Sequence, residues 1–202
     1  IMKPFPRRQS YRDSITNVIR RDLMSGKFKC DEPMREQKLA TRFGTSRGPV
    51  RDALMQLTQE GVLEYQPNKG VRVSSLLTDE ERDVVVAMRL ELEKYCMKKF
   101  IPIALEEDFE NISVLLERLK NACEVASLPE VAESDLALHR YWVAQASPHL
   151  ESTWLGLSVR MIMKYSRLEN YDQAIEEHTR IVEAVIDRDV DKAIYYLGEN
   201  IL

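Results

Sequence analysis

Two groups of side chains in this sequence have the types and spacing that binding chemistry requires. Arg47 and Arg51 stand four residues apart, so a helix places both on one face. A guanidinium fork reads the O6 and N7 edge of guanine bidentately, which an ammonium does less well. Ser46 and Gly48 flank Arg47. Glycine there lets a backbone approach closely, and the first turn of a helix offers its N–H groups and positive dipole end to phosphate. Lys69, beside Gly70, can hold a neighbouring phosphate or enter a minor groove. In the second group, Asp135 and His139 are again four apart and can present a carboxylate and an imidazole to one ion. His178 follows later, beside Glu177. Plainer readings exist for both groups: solvated charges on a surface helix for the arginines, and a surface hydrogen bond for the Asp-x-x-x-His pair. Tyr141, Trp142 and Trp154 read as core or interface aromatics. His149, after Pro148, reads as a loop or helix-start residue with no assigned role.

These groups need elements to carry them, and local patterning supplies a consistent set. Tyr11, Ile15, Val18, Ile19 and Leu23 recur at helical spacing, with Gly26 as the stop. A short second helix fits Glu36–Phe43, ended by Gly44. Ser46 is placed to cap a third helix that carries Arg47 and Arg51, tolerates Pro49 in its first turn and ends at Gly61. Val62–Tyr65 and Val71–Val73 are β-like runs, and Gln66-Pro67-Asn68-Lys69-Gly70 between them is hairpin chemistry. Helix, helix, tight turn, helix, hairpin is the order of a winged helix-turn-helix. After Ser74 the pattern is helical throughout. Ser75–Asp79 reads as a linker, and Thr78 with Glu81 forms a capping box for a helix to about Phe100. Further helices fit Glu106–Val125, Pro129–Ala146, Leu150–Arg167, Asp172–Arg188 and Val190–Leu202, with breaks at Pro102, Pro129, Pro148 and Asp189–Asp191. The expected fold is mainly α: a winged helix-turn-helix over residues 1–74, then an all-α antiparallel bundle over 75–202.

The charge follows the same division. The chain has 202 residues, room for one large domain or two small ones, and a net charge of −4 from 29 Lys+Arg and 33 Asp+Glu. Residues 1–74 carry 15 basic and 8 acidic side chains, a net of +7, and the remainder is left with −11. A basic half suggests a polyanionic partner. With 44% hydrophobic and 31% charged residues the chain can bury a core. No apolar run approaches the ~18–20 residues of a membrane-spanning helix, and the basic start, broken by Pro4 and Pro6, is not that of a signal peptide. Cys30, Cys96 and Cys123 are odd in number and far apart, which excludes a disulfide framework or a CxxC zinc site and points to the reducing cytosol. Seven glycines are too few for a β-rich fold or a glycine-rich nucleotide cradle.

The wording of the basic half is more specific than its pattern. Glu36-Gln37-Lys38-Leu39-Ala40, then Phe43-Gly44-Thr45-Ser46-Arg47-Gly48-Pro49-Val50-Arg51-Asp52-Ala53-Leu54, Leu57 and Glu60-Gly61, and on to Gly70 and Val73, closely resembles the GntR family of bacterial transcription regulators over about residues 10–74. The resemblance implies that Arg47, Arg51 and the wing contact operator DNA. A further arginine of the family falls at Gln37, so that contact is absent or read differently here. Arg89-x-x-Leu92-Glu93 and the order Asp135, His139, His178 resemble, over roughly 78–202, the FadR-type effector domain called FCD. That resemblance implies a divalent metal (Zn, Ni or Mn) on one Asp and three His, helping to hold a small organic-acid effector. Three of the four match; the fourth falls on Asn200, whose carbonyl oxygen is a weaker and harder ligand than imidazole. A metal-free pocket holding the effector directly is the alternative. Arg89, Arg160, Lys164 and Arg167 are candidates for pairing with the anion, or else form salt bridges within the bundle.

The function expected from these features is a ligand-responsive transcription regulator, a repressor. It would be a cytoplasmic homodimer without membrane attachment, on a double-stranded, palindromic operator. The rival is a metal-dependent hydrolase in which Asp135, His139 and His178 hold an ion that activates water. Against it stand the absence of HExxH, nucleophile-elbow and P-loop motifs, and a basic half that it leaves unexplained.

Overall fold

The first helix forms where the apolar spacing is helical and stops where glycine can turn left-handed. In the computed structural model, which describes residues 11–164 and 170–201, α1 (Tyr11–Met24) buries Ile15, Ile19 and Leu23. α2 (Glu36–Phe43) buries Leu39 and Ala40 and ends at Gly44, whose φ of 61° is left-handed. α3 (Arg47–Gln59) turns Val50, Ala53, Leu54 and Leu57 inward, against α1 and α2. Ser46 holds the extended conformation of a cap, yet its hydroxyl makes no bond to the helix, contrary to expectation. The reason is local. A capping serine bonds the N–H of the second or third helical residue, and the third, Pro49, has none to offer.

The wing is a two-stranded antiparallel hairpin of β1 (Leu63–Gln66), one residue later than the apolar run that predicted it, and β2 (Gly70–Val73), which starts one residue earlier than its run and ends with it. Leu63 pairs with Val73 and Gln66 with Gly70. The turn between them has Pro67 followed by Asn68 at φ 63°, and Lys69 N–H donates to the Gln66 carbonyl. Proline first and a left-handed Asn second are what a type II turn requires. The other edge of β2 is covered by the segment before α2, where Asp31 and Met34 N–H groups donate to Val73 and Val71.

The second compact unit begins after Ser75, and among its described residues the regular elements are all helices. α4 (Asp79–Phe100) opens with a complete capping box: Glu81 N–H donates to the Thr78 hydroxyl, and Thr78 N–H donates to the Glu81 carboxylate. A 3-10 turn at Ile101–Ile103 leads to α5 (Glu106–Glu124) and α6 (Leu128–Ala146). α7 (Pro148–Lys164), α8 (Tyr171–Ile186) and α9 (Val190–Ile201) complete the bundle. Pro148 does not delay α7 to Leu150, because proline is tolerated at a helix's first position. The expected helix end at Arg167, and Leu202, lie outside the described residues. α4 packs on α6, α7 and α9, α5 on α6 and α8, and α8 on α9. Their shared core holds Met97, Ile112, Leu119, Trp142, Trp154 and Val185, all fully buried. Among the described residues no helix is long and apolar enough to cross a membrane.

Candidate functional sites

The start of α3 presents both arginines to solvent, and one carboxylate of α2 collects them. Glu36 Oε2 accepts from Arg47 Nε at 3.0 Å and Nη2 at 2.8 Å. Arg51 donates from Nε to Oε1 at 2.9 Å and from Nη2 to Oε2 at 3.0 Å. The two guanidinium groups are thereby held side by side while both side chains remain more than half exposed, at 58% and 57%. Ser46, Gly48 and Gln37 are exposed around them. A Cβ on Gly48 would meet only the Ser46 hydroxyl, at 3.9 Å, so nothing inside the protein requires a glycine there. Lys69 is exposed at the hairpin tip, next to Gly70, whose φ is 79°. Arg72, behind the tip, is bound to Asp31. Glu36 appears in the sequence only as one letter of a longer string; its partners are 11 and 15 residues away, beyond the reach of any local pattern.

Hydrogen bonds from Arg51, and then Arg47, hold the Glu36 carboxyl at about 2 against the opposing effect of burial. A carboxyl depressed in the folded state stabilises it fully above its unfolded value of 4.5, and that contribution is lost as pH falls through about 2. Glu36→Gln should therefore give a shallower loss of stability between pH 4.5 and 2 than the unaltered protein, read from urea midpoints. Exposed arginines keep the difference small.

The second site is buried in the helical unit. Asp135 and His139 on α6 and His178 on α8 converge, with His139 and His178 almost fully buried and Asp135 side-chain exposure at 21%. His178 Nε2 lies 2.8 Å from Asp135 Oδ1 and 3.2 Å from His139 Nε2, and His139 Nε2 lies 3.8 Å from Asp135 Oδ1. The far nitrogens decide the protonation. His178 Nδ1 is 2.7 Å from the Ala174 carbonyl and His139 Nδ1 is 2.7 Å from Glu93 Oε2, so each Nδ1 carries the proton and donates it. The facing atoms are then three lone-pair bearers crowded together, an arrangement that calls for a cation among them, whether a proton or a metal ion. A point equidistant from all three lies about 1.9 Å from each in their plane, close to the ~2.0–2.2 Å of imidazole and carboxylate metal bonds. The donor set therefore fits a divalent ion.

Asn200, the expected fourth ligand, donates its side-chain amide to Glu177 Oε2 at 3.0 Å, and Gln173 donates to Glu177 Oε1. Its amide nitrogen is thus occupied. Burial raises the Asp135 carboxyl, but the hydrogen bond with His178 and the charges of His139, His178 and Arg89 outweigh it, and the net shift is downward. Burial lowers His178, and the bond to Asp135 reverses the sign.

Arg89 lies at this cluster, buried and donating to Glu93 at 2.7 Å, with its guanidinium over the Trp154 ring. Arg89 Nη1 also lies 3.9 Å from Met161 Sδ, one residue along α7 from Arg160. Lys164 is bonded to Asp79. The Glu81 carboxyl is held down first by hydrogen bonds from Thr78 and, more weakly, by the charges of Arg160 and Lys164. Arg167 is outside the described residues. Trp142 and Trp154 are core residues, as their type suggested, but their indole N–H groups both donate to Glu93. Among the described residues, Ser134 Oγ, Ser158 Oγ and Arg160 Nε are buried without a hydrogen-bond partner.

Comparison with known proteins gives these two sites a common frame. Residues 12–73 match the family described as bacterial regulatory proteins, gntR family, and residues 84–200 match the FCD domain. FCD domains are often metal-binding. The HTH-type transcriptional repressor GlaR of Escherichia coli (strain K12) is 28% identical over 199 residues, 91% of this chain and 89% of that protein. The gluconate operon transcriptional repressor of Bacillus subtilis (strain 168) is 24% identical over 196 residues, 90% of this chain and 78% of that protein. The solved structure of E. coli McbR/YncC shares the fold with a TM-score of 0.79 at 21% identity, over 95% of this chain and 93% of that one. These relatives are regulators of transcription, and nothing among them supports the hydrolase reading.

Proposed function

The chain belongs to the gntR family of bacterial regulatory proteins and carries an FCD domain, and on that premise we propose that it is a repressor. In this reading it binds a palindromic operator as a homodimer through residues 1–74 and senses a small organic anion within residues 75–202. The observation that carries the reading is the exposed pair Arg47 and Arg51 on the first turns of α3, both forks held to one carboxylate. Two guanidinium groups so fixed lose little freedom on meeting base edges, which favours bidentate reading of guanine. Gly48, which nothing in the protein requires, leaves the helix start open to a close backbone. Ser46, Gln37, Lys69 and Gly70 complete the DNA-facing set, the last two from the wing. Relatives named as repressors support the sign of the regulation.

Sensing is assigned to the buried cluster, with Asp135, His139, His178 and the Asn200 carbonyl as ligands of a divalent ion (Zn, Ni or Mn). Two carboxylates, Glu93 and Asp135, against one guanidinium, Arg89, leave the cluster one negative charge in excess. A divalent ion turns this into one positive charge in excess, which favours a bound carboxylate. The unpartnered Ser134, Ser158 and Arg160 atoms in α6 and α7 are further polar groups that a polar ligand can satisfy. Arg160 and Lys164 remain secondary candidates for the anion. The homodimer is assigned to α4, where Val84, Met88 and Tyr95 share one face and are 58%, 52% and 50% exposed.

Selection of duplexes from a random pool tests the DNA half. A two-fold dimer should enrich a palindrome whose half-sites are about one helical turn apart, or a multiple of it. Enrichment of no common sequence would contradict the proposal.

A further inference from the structure

Glu93 is fully buried and accepts four hydrogen bonds, two on each oxygen. Oε1 accepts from Arg89 Nε at 2.7 Å and Trp154 Nε1 at 2.7 Å. Oε2 accepts from His139 Nδ1 at 2.7 Å and Trp142 Nε1 at 3.3 Å. The donors belong to α4, α6 and α7. A guanidinium and two indoles can only donate, so they demand a carboxylate that is ionised. His139 is the one neighbour in this shell with a choice of tautomer, and an ionised oxygen at 2.7 Å removes that choice. The ring is also wedged, with Trp142 and His178 set edge-on against it at centroid distances of 4.9 and 5.2 Å.

We propose that Glu93 is a positioning residue for the metal centre: it fixes His139 as its Nδ1–H tautomer and so keeps the Nε2 lone pair turned toward Asp135 and His178. The inference rests on the reading of Asp135, His139 and His178 as metal ligands. Glu93 is no ligand itself, since both of its oxygens are taken and it sits behind the ring. A carboxylate behind a ligating imidazole orients the ring and raises its basicity, and removing such a partner lowers metal affinity roughly 10- to 100-fold. His178 is oriented independently, by the Ala174 carbonyl.

Glu93→Gln separates this role from plain packing. The glutamine keeps the shape but must turn its NH2 toward one pair of donors. His139 alone can answer, by accepting at Nδ1 and moving its proton to Nε2, onto the side where the metal binds. The two measurements are histidine 15N shifts on the metal-free protein and Co2+ or Zn2+ titration of the unaltered and variant chains. The expected result is Nδ1–H at His139 in the unaltered protein, Nε2–H in Glu93→Gln, an unchanged His178, and metal binding about 10- to 100-fold weaker. Glu93→Asp, still a carboxylate, should restore the Nδ1–H tautomer and much of the affinity. If Glu93→Gln keeps Nδ1–H and binds metal as tightly as the unaltered chain, the inference is overturned. If the variant does not fold, Nε2–H at His139 in the unaltered protein overturns it equally. If the unaltered chain binds neither ion, it is the metal reading of the preceding subsection that fails, and with it the reason for the positioning.

Discussion

Replacing Arg47 and Arg51 together by alanine is expected to cost ~2–6 kcal/mol of affinity for a specific operator duplex, since each bidentate base contact is worth ~1–3 kcal/mol. The loss should fall almost wholly on the specific duplex, with a scrambled one weakened far less, because base reading and not only charge is removed. The two arginines share Glu36, so their effects are coupled. With both gone, Glu36 becomes an unpaired carboxylate facing phosphate, which should make the double variant worse than the sum of the singles. Adding Glu36→Gln to the double variant should then recover part of the loss. Lys69→Ala gives the contrasting pattern: equal weakening of all duplexes and a salt slope smaller by about one. Fluorescence anisotropy at several salt concentrations distinguishes the two.

His178→Ala or Asp135→Ala is expected to reduce divalent-metal affinity by well over ~100-fold, more than the loss from removing a residue behind a ligand. Each removes one of three atoms that the fold brings together. In the unaltered chain, metal at a hundred times its dissociation constant should stabilise the folded state by ~2.7 kcal/mol. Either variant should show no such gain in a thermal or urea titration with and without chelator. Asn200→Ala should have a smaller effect, because in the proposed site Asn200 would contribute one weak oxygen, and its amide nitrogen already serves Glu177.

What could be read from the sequence depends on how far apart the interacting residues lie. α2 at Glu36–Phe43 and the capping box of Thr78 and Glu81 are settled within a few residues, and the structure has both as expected. Strand ends moved by one residue because pairing across the hairpin, not apolar content, sets them. The preference for serine predicts a cap bond at Ser46 that the structure lacks, and Pro49 removes one of the two N–H groups such a bond could use. The Asp135 and His139 spacing is a helical repeat and so was visible, whereas His178 meets them only through packing of α8 on the bundle. Glu36 and Glu93, which organise the two sites, were not recognisable as such. Glu93 meets His139, Trp142 and Trp154 across 46, 49 and 61 residues.

The central claim is that the exposed arginine pair of α3 reads a DNA sequence. Its most direct test is the affinity of the unaltered chain for a selected palindromic duplex and for a scrambled duplex of the same length and composition, at one fixed salt concentration. The account predicts a preference of at least ~10³-fold for the selected duplex, the lower end of what separates specific from non-specific binding. Equal affinity for the two duplexes would contradict it.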